Sequence, residues 1–408
     1  MIQIPRSFLD ENESYLVIPV LRRFCSKYNL RQFNVREELL DEILDFANMN
    51  DNNRIIFLNW LEESLKEGNK HIYIRDIFSN NEQFDELKNL ETCEEILATI
   101  YEDCPNNYIS EATHEIEIKL QNYRIHHRDN IVHKLSFNFT IKLLCGDSIM
   151  DVGRYIIFPV FIDVDIENNY ISGRAKPKTN LFKKTDPTND TLIQNLKVSN
   201  KELIIEAIKK IKNDLDLEFR DNYESHTIFR NKLFNLLKYY TFTPDEIQCK
   251  INSMTNKIDN FINDVFSELE IPLLSNFDNA KEDLNIFIEK FISINYDDQT
   301  IFTKDRDAYP VRLSATDSEL TKISEASANR EPLQHKEKYF DNKKSIERDE
   351  SCDGMMLCFN RNNTKYFGNN PFVVSLEVIQ GYLSLKFPQY VEEEDIQHVL
   401  SRAIEDSE

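Results

Sequence analysis

The chain has 408 residues, which is too many for one ordinary core and enough for two or three domains, and its 41% hydrophobic content includes 27 Phe but only 7 Gly. A formal charge of −22 argues against a protein that coats nucleic acid non-specifically. The shortage of glycine removes the tight phosphate-cradling turns of nucleotide enzymes, and no G-x-S-x-G elbow, P-loop, G-x-G-x-x-G or H-E-x-x-H is present.

Arg6, Asp10, Glu11 and Glu13 interrupt any secretory apolar stretch at the start, and the runs Leu16 to Leu21 and Tyr155 to Ile162 fall short of the roughly 20 residues that span a bilayer. Seven scattered cysteines with no C-x-x-C pair read as free thiols. The expectation is a cytoplasmic protein without membrane contact, resident metal or cofactor.

The first hundred residues read as helical. Asn34 with Glu37, and Thr92 with Glu95, have the spacing of capping boxes that open helices carrying Leu39, Leu40, Ile43 and Phe46 in one case and Ile96, Leu97 and Ile100 in the other. Between them Ile55, Ile56, Leu58, Trp60 and Leu61 recur at helical spacing, followed by a short strand at His71 to Ile74. A winged helix-turn-helix would use Asn53 to Lys66 as its recognition helix. Glu62 and Glu63 are poor chemistry for a phosphate-lined groove, so a packing or partner-binding role is the better expectation.

From Thr113 the period changes to alternation. Ile116, Ile118 and Leu120 share one strand face, and Leu135, Phe137, Phe139, Ile141 and Leu143 share another. A four-residue loop, His127 to Asn130, sets Ile116 opposite Ile141, Ile118 opposite Phe139, Leu120 opposite Phe137, Glu115 opposite Lys142 and His133 opposite Arg124. A second hairpin turning at Asn168-Asn169 sets Ile162 opposite Ala175, Asp163 opposite Arg174 and Asp165 opposite Ser172. Pro159 then needs an edge or a bulge.

Ser199 with Glu202 begins a helix, and Thr243, Pro244 and Glu246 begin a long one striped by Ile247, Ile251, Met254, Ile258, Phe261, Ile262, Val265, Phe266 and Leu269; a third covers about Ala280 to Ile294. Residues 327 to 353 hold thirteen charged side chains in 27 positions and read as a solvated linker. Met355 to Phe359, Phe372 to Ile379 and Tyr382 to Phe387 read as strands, with a turn at Gln380-Gly381 and a closing helix from Glu392 to Ile404.

These elements predict an α+β protein. Its expected parts are a helical N-terminal domain (1–105), a central antiparallel meander (113–184) packed with a helical bundle (198–295) within 106–300, a charged linker (301–354), and a small C-terminal α+β unit (355–408).

Chemistry concentrates in one place. Thr113 to Lys184 holds four of the eight histidines and eleven Lys and Arg against eight acids, a basic island in an acidic chain. No catalytic residue is assigned. The expected contact residues are His126, His127 and Arg128 at the first hairpin tip and Lys176, Lys178, Lys183 and Lys184 at the exit of the second, with Tyr123, Tyr170 and Phe182 available to stack on bases.

The favoured expectation is a non-catalytic binding or scaffold subunit of an intracellular multiprotein complex, in prokaryotic antiphage defence on base rates, whose sheet touches nucleic acid or an acidic partner. One alternative is a divalent-metal nuclease using Asp163 and Asp165, which alternation puts on one face. Another is a protein adaptor acting through its acidic helical surfaces.

Overall fold

The alternating side chains of Leu135 to Leu143 do form one buried face of a strand, and the architecture grows around it. The computed structural model describes residues 4–10, 15–78, 82–112, 116–146, 153–184, 195–316, 322–350, 352–361 and 370–404. The protein is α+β, and its strand pairs are antiparallel among the described residues.

The strands are β1 (Lys70–Asp76), β2 (Lys119–Arg128), β3 (Ile131–Cys145), β4 (Arg154–Asp165), β5 (Tyr170–Ala175), β6 (Leu181–Lys183), β7 (Leu196–Val198), β8 (Ala308–Thr316), β9 (Lys322–Ala326), β10 (Gly354–Phe359), β11 (Phe372–Ile379) and β12 (Tyr382–Phe387). The helices are α1 (Arg6–Leu9), α2 (Ile18–Lys27), α3 (Arg36–Asn48), α4 (Asp51–Lys66), α5 (Glu82–Glu86), α6 (Leu90–Ile100), α7 (Asn200–Asp214), α8 (Asn222–Tyr240), α9 (Asp245–Ser253), α10 (Thr255–Glu268), α11 (Leu273–Ile294), α12 (Glu337–Asp349) and α13 (Glu393–Ile404). None of these helices is long and apolar enough to cross a membrane.

Two compact units result, drawn differently from the boundaries expected from sequence. The first comprises Met1–Ser225, Asn363–Asn369 and Ile379–Leu400, and the second His226–Asn362, Asn370–Val378 and Ser401–Glu408.

In the first unit the strand order is β7-β6-β3-β4-β5-β1-β12, with β2 also paired to β3. One face carries Phe137, Phe139, Phe158, Val160 and Ile162 against α6 and α7, where Leu203, Ile204, Ala207, Ile208 and Ile211 are buried. Each such side chain contributes about 1.5–3 kcal/mol by leaving water. Gly173 of β5 lets α7 approach, since a Cβ there would lie 2.6 Å from Ile204 Cγ2. The opposite face carries Ile157 and Phe161 and is covered by the N-terminal helices through Phe8, Phe57, Leu58, Leu61 and Leu65. Trp60 packs at a tilt against Phe24 and Phe57 in that layer, so it is a packing residue.

The Ser199–Glu202 capping box forms as expected, but the other two do not. Asn34 accepts from Arg22 at 2.8 Å, leaving Val35 as the cap of α3, while Asn89 rather than Thr92 caps α6 by accepting from the Thr92 N–H.

In the second unit β11-β10-β8-β9 form a sheet beside α8 to α12. The long helix expected from Thr243 to Leu269 is two helices broken at Met254. Ser253 and Thr255 hydroxyls bond back to the Lys250 and Asn252 carbonyls there, a competition with the helical ladder that bends it. Ile247, Ile251, Ile258 and Ile262 of the stripe are buried, whereas Phe261 and Leu269 are exposed.

The expected linker is structured as well, containing β8, β9 and α12. Its charges are met by ion pairs such as Lys343 to Glu289 at 2.7 Å, while Tyr339, Phe340 and Ile346 are buried. The three C-terminal strands stand where expected but do not form a separate unit, because β12 pairs with β1 and β10 with β8.

Candidate binding site

The site begins with a tight turn. Asp129 and Asn130 have φ of 48° and 65°, the paired left-handed conformation that two-residue hairpin turns require and that Asp and Asn tolerate. The hairpin therefore closes two residues tighter than the expected loop. Leu120 opposes Phe139 rather than Phe137, and Arg124 opposes Ser136 rather than His133. The register slips between His126, opposite Lys134, and His127, opposite Val132, so His133 is a bulged residue. Its carbonyl accepts from the Ile166 and Glu167 N–H groups at 2.9 and 3.4 Å, tying the tip of β2 and β3 to the turn after β4. The expected pairing of Glu115 lies outside the described residues, and Lys142 sits 3.9 Å from the Tyr155 ring centroid.

The second hairpin is also shifted by two. Asp163 opposes Ser172 and Asp165 opposes Tyr170, through a four-residue turn, Ile166 to Asn169. Pro159 pairs in register with Thr140 at a stretch of β4 beyond the β5 ladder, which suits a residue without an N–H.

Asp163 is the hub of a buried polar layer beneath α4. The Ser136 hydroxyl donates to it at 2.7 Å, Lys134 Nζ stands at 3.1 Å and Arg174 Nη2 at 3.6 Å. Because that hydroxyl proton is committed, His126 Nε2, 3.0 Å from Ser136 Oγ, is the donor of that pair.

Burial works against the Asp163 charge, but Lys134, Arg174, Lys66 and the Ser136 bond outweigh it and hold the carboxyl below the usual range. Arg174 is almost fully buried and makes a bidentate pair with Glu393 at 2.6 and 3.1 Å. Glu62 of α4, 2% exposed, accepts from Asn138 Nδ2 at 2.5 Å, so α4 turns this acid into the sheet rather than toward solvent. Lys70 donates to the Leu65 carbonyl, and burial, with Lys176 and Arg174 nearby, holds its amine well below its ordinary value.

Asp165 plays a different part, accepting from the Asn168 N–H at 2.8 Å to shape the turn. Both carboxylates of the expected metal pair thus have structural partners. Among the described residues, no group of three or more His, Cys, Asp and Glu side chains stands together to hold a metal ion.

The structure sorts the seven expected contact residues. Lys176 is buried, 4.5 Å from the Tyr15 ring centroid. Lys183 is bonded to Glu206 at 2.8 Å, Lys184 to the Tyr155 hydroxyl, and Lys178 is half-buried and already engaged. His126 is half-buried on Ser136. His127 and Arg128 are exposed, and their side chains have no hydrogen-bond or ion-pair partner among the described residues.

The two expected clusters also do not form one patch. β6, which carries Lys183, pairs with Leu144 and Cys145, while Arg128 pairs with Ile131 at the other end of β3, about 44 Å away at ~3.4 Å per residue. Of the aromatics proposed for stacking, Phe182 is buried and Tyr123 packs on Tyr101 and Phe137.

Beneath the tip lies a cavity of about 370 Å³ that the sequence did not reveal. Lys88, Arg128 and His133 bring basic groups to it, Ile131, Val132 and Ile166 apolar ones, and Asp129 and Glu167 acids. Ile131 is 65% exposed, and the buried His133 Nδ1 has no partner. Compared with known protein families, curated proteins and solved structures, the chain matches none.

Proposed function

We propose that this protein is a non-catalytic binding subunit of a multiprotein complex and that the tip of the β2–β3 hairpin docks an acidic region of a partner protein. The observation that carries this reading is the uncommitted Arg128 side chain at the mouth of a cavity, with the exposed His127 beside it in sequence, while the other basic residues expected at the site are engaged elsewhere. At physiological salt the Debye length is about 8 Å, so the distant acids of the chain are screened and the local charge governs the encounter. An acidic protein suits so small a basic surface better than a nucleic acid does, because phosphate-driven affinity grows with the number of phosphates neutralised. A reducing compartment such as the cytoplasm goes with the reading, since all seven cysteines are free thiols.

The test uses fluorescence anisotropy with labelled polyglutamate and, in parallel, a DNA duplex. Polyglutamate should bind, and the exposed double variant His127→Glu, Arg128→Glu should weaken it at least about tenfold. Binding unchanged by that variant, or a preference for the duplex, overturns the proposal.

A second reading has one observation in its favour. Phe287 and Phe291 of α11 are both more than half exposed with ring centroids 4.8 Å apart, in a stretch, Asp245 to Asp298, that holds twelve acids and four Lys. That surface suits a basic amphipathic partner. Loss of a co-purifying partner with Phe287→Ser and Phe291→Ser, and its retention with the tip variant, would favour this second reading.

A further inference from the structure

One stripe of α11 is left over after the second unit has packed. On one side of this helix Ile288 and Ile292 pack against Ile247 and Ile251 of α9, and Lys281 is bonded to Asp259 of α10 at 2.8 Å. On another side Asp283 and Lys290 are bonded to Lys344 and Asp341 of α12, at 2.5 and 2.7 Å. Between these sides run Phe277, Ala280, Leu284, Phe287, Phe291 and Ile294, at alternating steps of three and four residues. That is the spacing of a coiled-coil seam. Among the described residues no helix fills it: Phe287 and Phe291 are 56% and 53% exposed, and the other four are half-buried.

We infer that this seam pairs with the same seam of a second copy of the chain, the two α11 helices lying antiparallel about a two-fold axis. In that arrangement Phe291 of each copy meets Ala280 of the other, Phe287 meets Leu284, and Phe277 meets Ile294. Larger side chains therefore fall opposite smaller ones, and one patch serves both copies, as a two-fold interface requires. A parallel pair would set Ala280 on Ala280 and Phe291 on Phe291, leaving a void in one layer and crowding another.

The charges beside the seam favour a second copy over a basic helix. Although the surrounding stretch is acidic, Asp283 and Lys290 border the seam with one charge of each sign, and α12 satisfies both. Neither offers a basic helix an unpaired acid, and neither becomes an unpaired buried charge when two copies meet. The inference is independent of the acidic-partner reading of the hairpin tip. Eighteen residues of helix are about 27 Å long, a small interface, so the dimer should assemble at micromolar concentration. Each copy carries a charge of −22, so added salt should strengthen the pair by screening their repulsion.

Sedimentation velocity on the full chain, from about 1 to about 100 μM in about 50 and about 500 mM salt, tests this. The parent should pass from monomer to dimer across that range, with an association constant about threefold or more greater at the higher salt. The variant Phe287→Ser, Phe291→Ser, changed only at exposed positions, should stay monomeric, with circular dichroism confirming its fold. Phe291→Ala alone should weaken the dimer about tenfold or more, and adding Ala280→Phe should recover most of that loss, because the pair exchanges the large and small sides of one layer.

A chain that stays monomeric throughout, a dimer that the double Ser variant leaves intact, or a dimer that weakens as salt rises overturns the inference. A loss with Phe291→Ala that Ala280→Phe does not recover, in a variant whose fold is intact, overturns the antiparallel pairing. So does a labelled amphipathic helix of Leu and Lys that binds a non-associating chain only while Phe287 and Phe291 are present, since the seam then belongs to a basic partner.

Discussion

Removing the Asp163 carboxylate would leave Lys134 and Arg174 without their shared buried anion, the situation in which a buried pair is most costly. Asp163→Ala should lower stability by about 3–5 kcal/mol in urea denaturation, and Asp165→Ala, which loses only a turn bond, by about 1 kcal/mol. Equal small effects would show that the hub does not hold the sheet. Glu67 tests the same layer from the other side. Burial raises its carboxyl to about 7 despite bonds from the Glu393 N–H and the Tyr390 hydroxyl. A raised acid pKa means the folded state keeps its proton longer, so this residue lowers stability as pH rises from about 4.5 to about 7. Asp163 has the opposite sign, since its depressed pKa adds stability above the ordinary Asp value that is lost on acidification. Glu67→Gln should therefore be more stable than the parent at pH 8 by on the order of 2 kcal/mol, with the difference vanishing near pH 4. At this scale the sequence identified the residue types but could not say which were spoken for. Lys183 and Arg128 look alike in a charge count, yet one faces Glu206 and the other faces water.

Among the elements, the closest tolerance is between β5 and α7. Gly173→Ala would press a methyl group against Ile204 and Ile162, at 2.6 and 2.8 Å, and should cost about 1–3 kcal/mol in the same denaturation assay. A loss below about 0.5 kcal/mol would mean the helix can move aside. Several elements were legible from local pattern: the Ser199 capping box, the three C-terminal strands and their Gln380-Gly381 turn all stand where their residues placed them. The hairpin registers were not. In the second hairpin the slip is two residues, and an even slip keeps every apolar side chain on its original face, so alternation cannot detect it. The bulge at His133 is invisible for a similar reason, because it is fixed by bonds from Ile166 and Glu167 rather than by its neighbours. Residues 327 to 353 misled in another way, since α12 satisfies its charges on α11 while burying only a narrow stripe.

For the molecule as a whole, a charge of −22 and two uncommitted basic side chains at the tip set the expected response to nucleic acid. Two phosphate contacts would make affinity for duplex DNA fall only about tenfold between 50 and 200 mM salt, against the roughly hundredfold expected had four cations of the island been available. Measuring the binding constant across that range checks it, and a slope near four would restore the basic island as one surface. The sequence by itself determined the α+β class, the places where period changes from helical to alternating, and the concentration of cations between Thr113 and Lys184. Only the tertiary structure decided which of those cations remain to meet a partner. The reason is physical: the acids and rings that occupy them come from distant parts of the chain, as Glu393 does for Arg174 across 219 positions, and folding alone brings them within bonding distance.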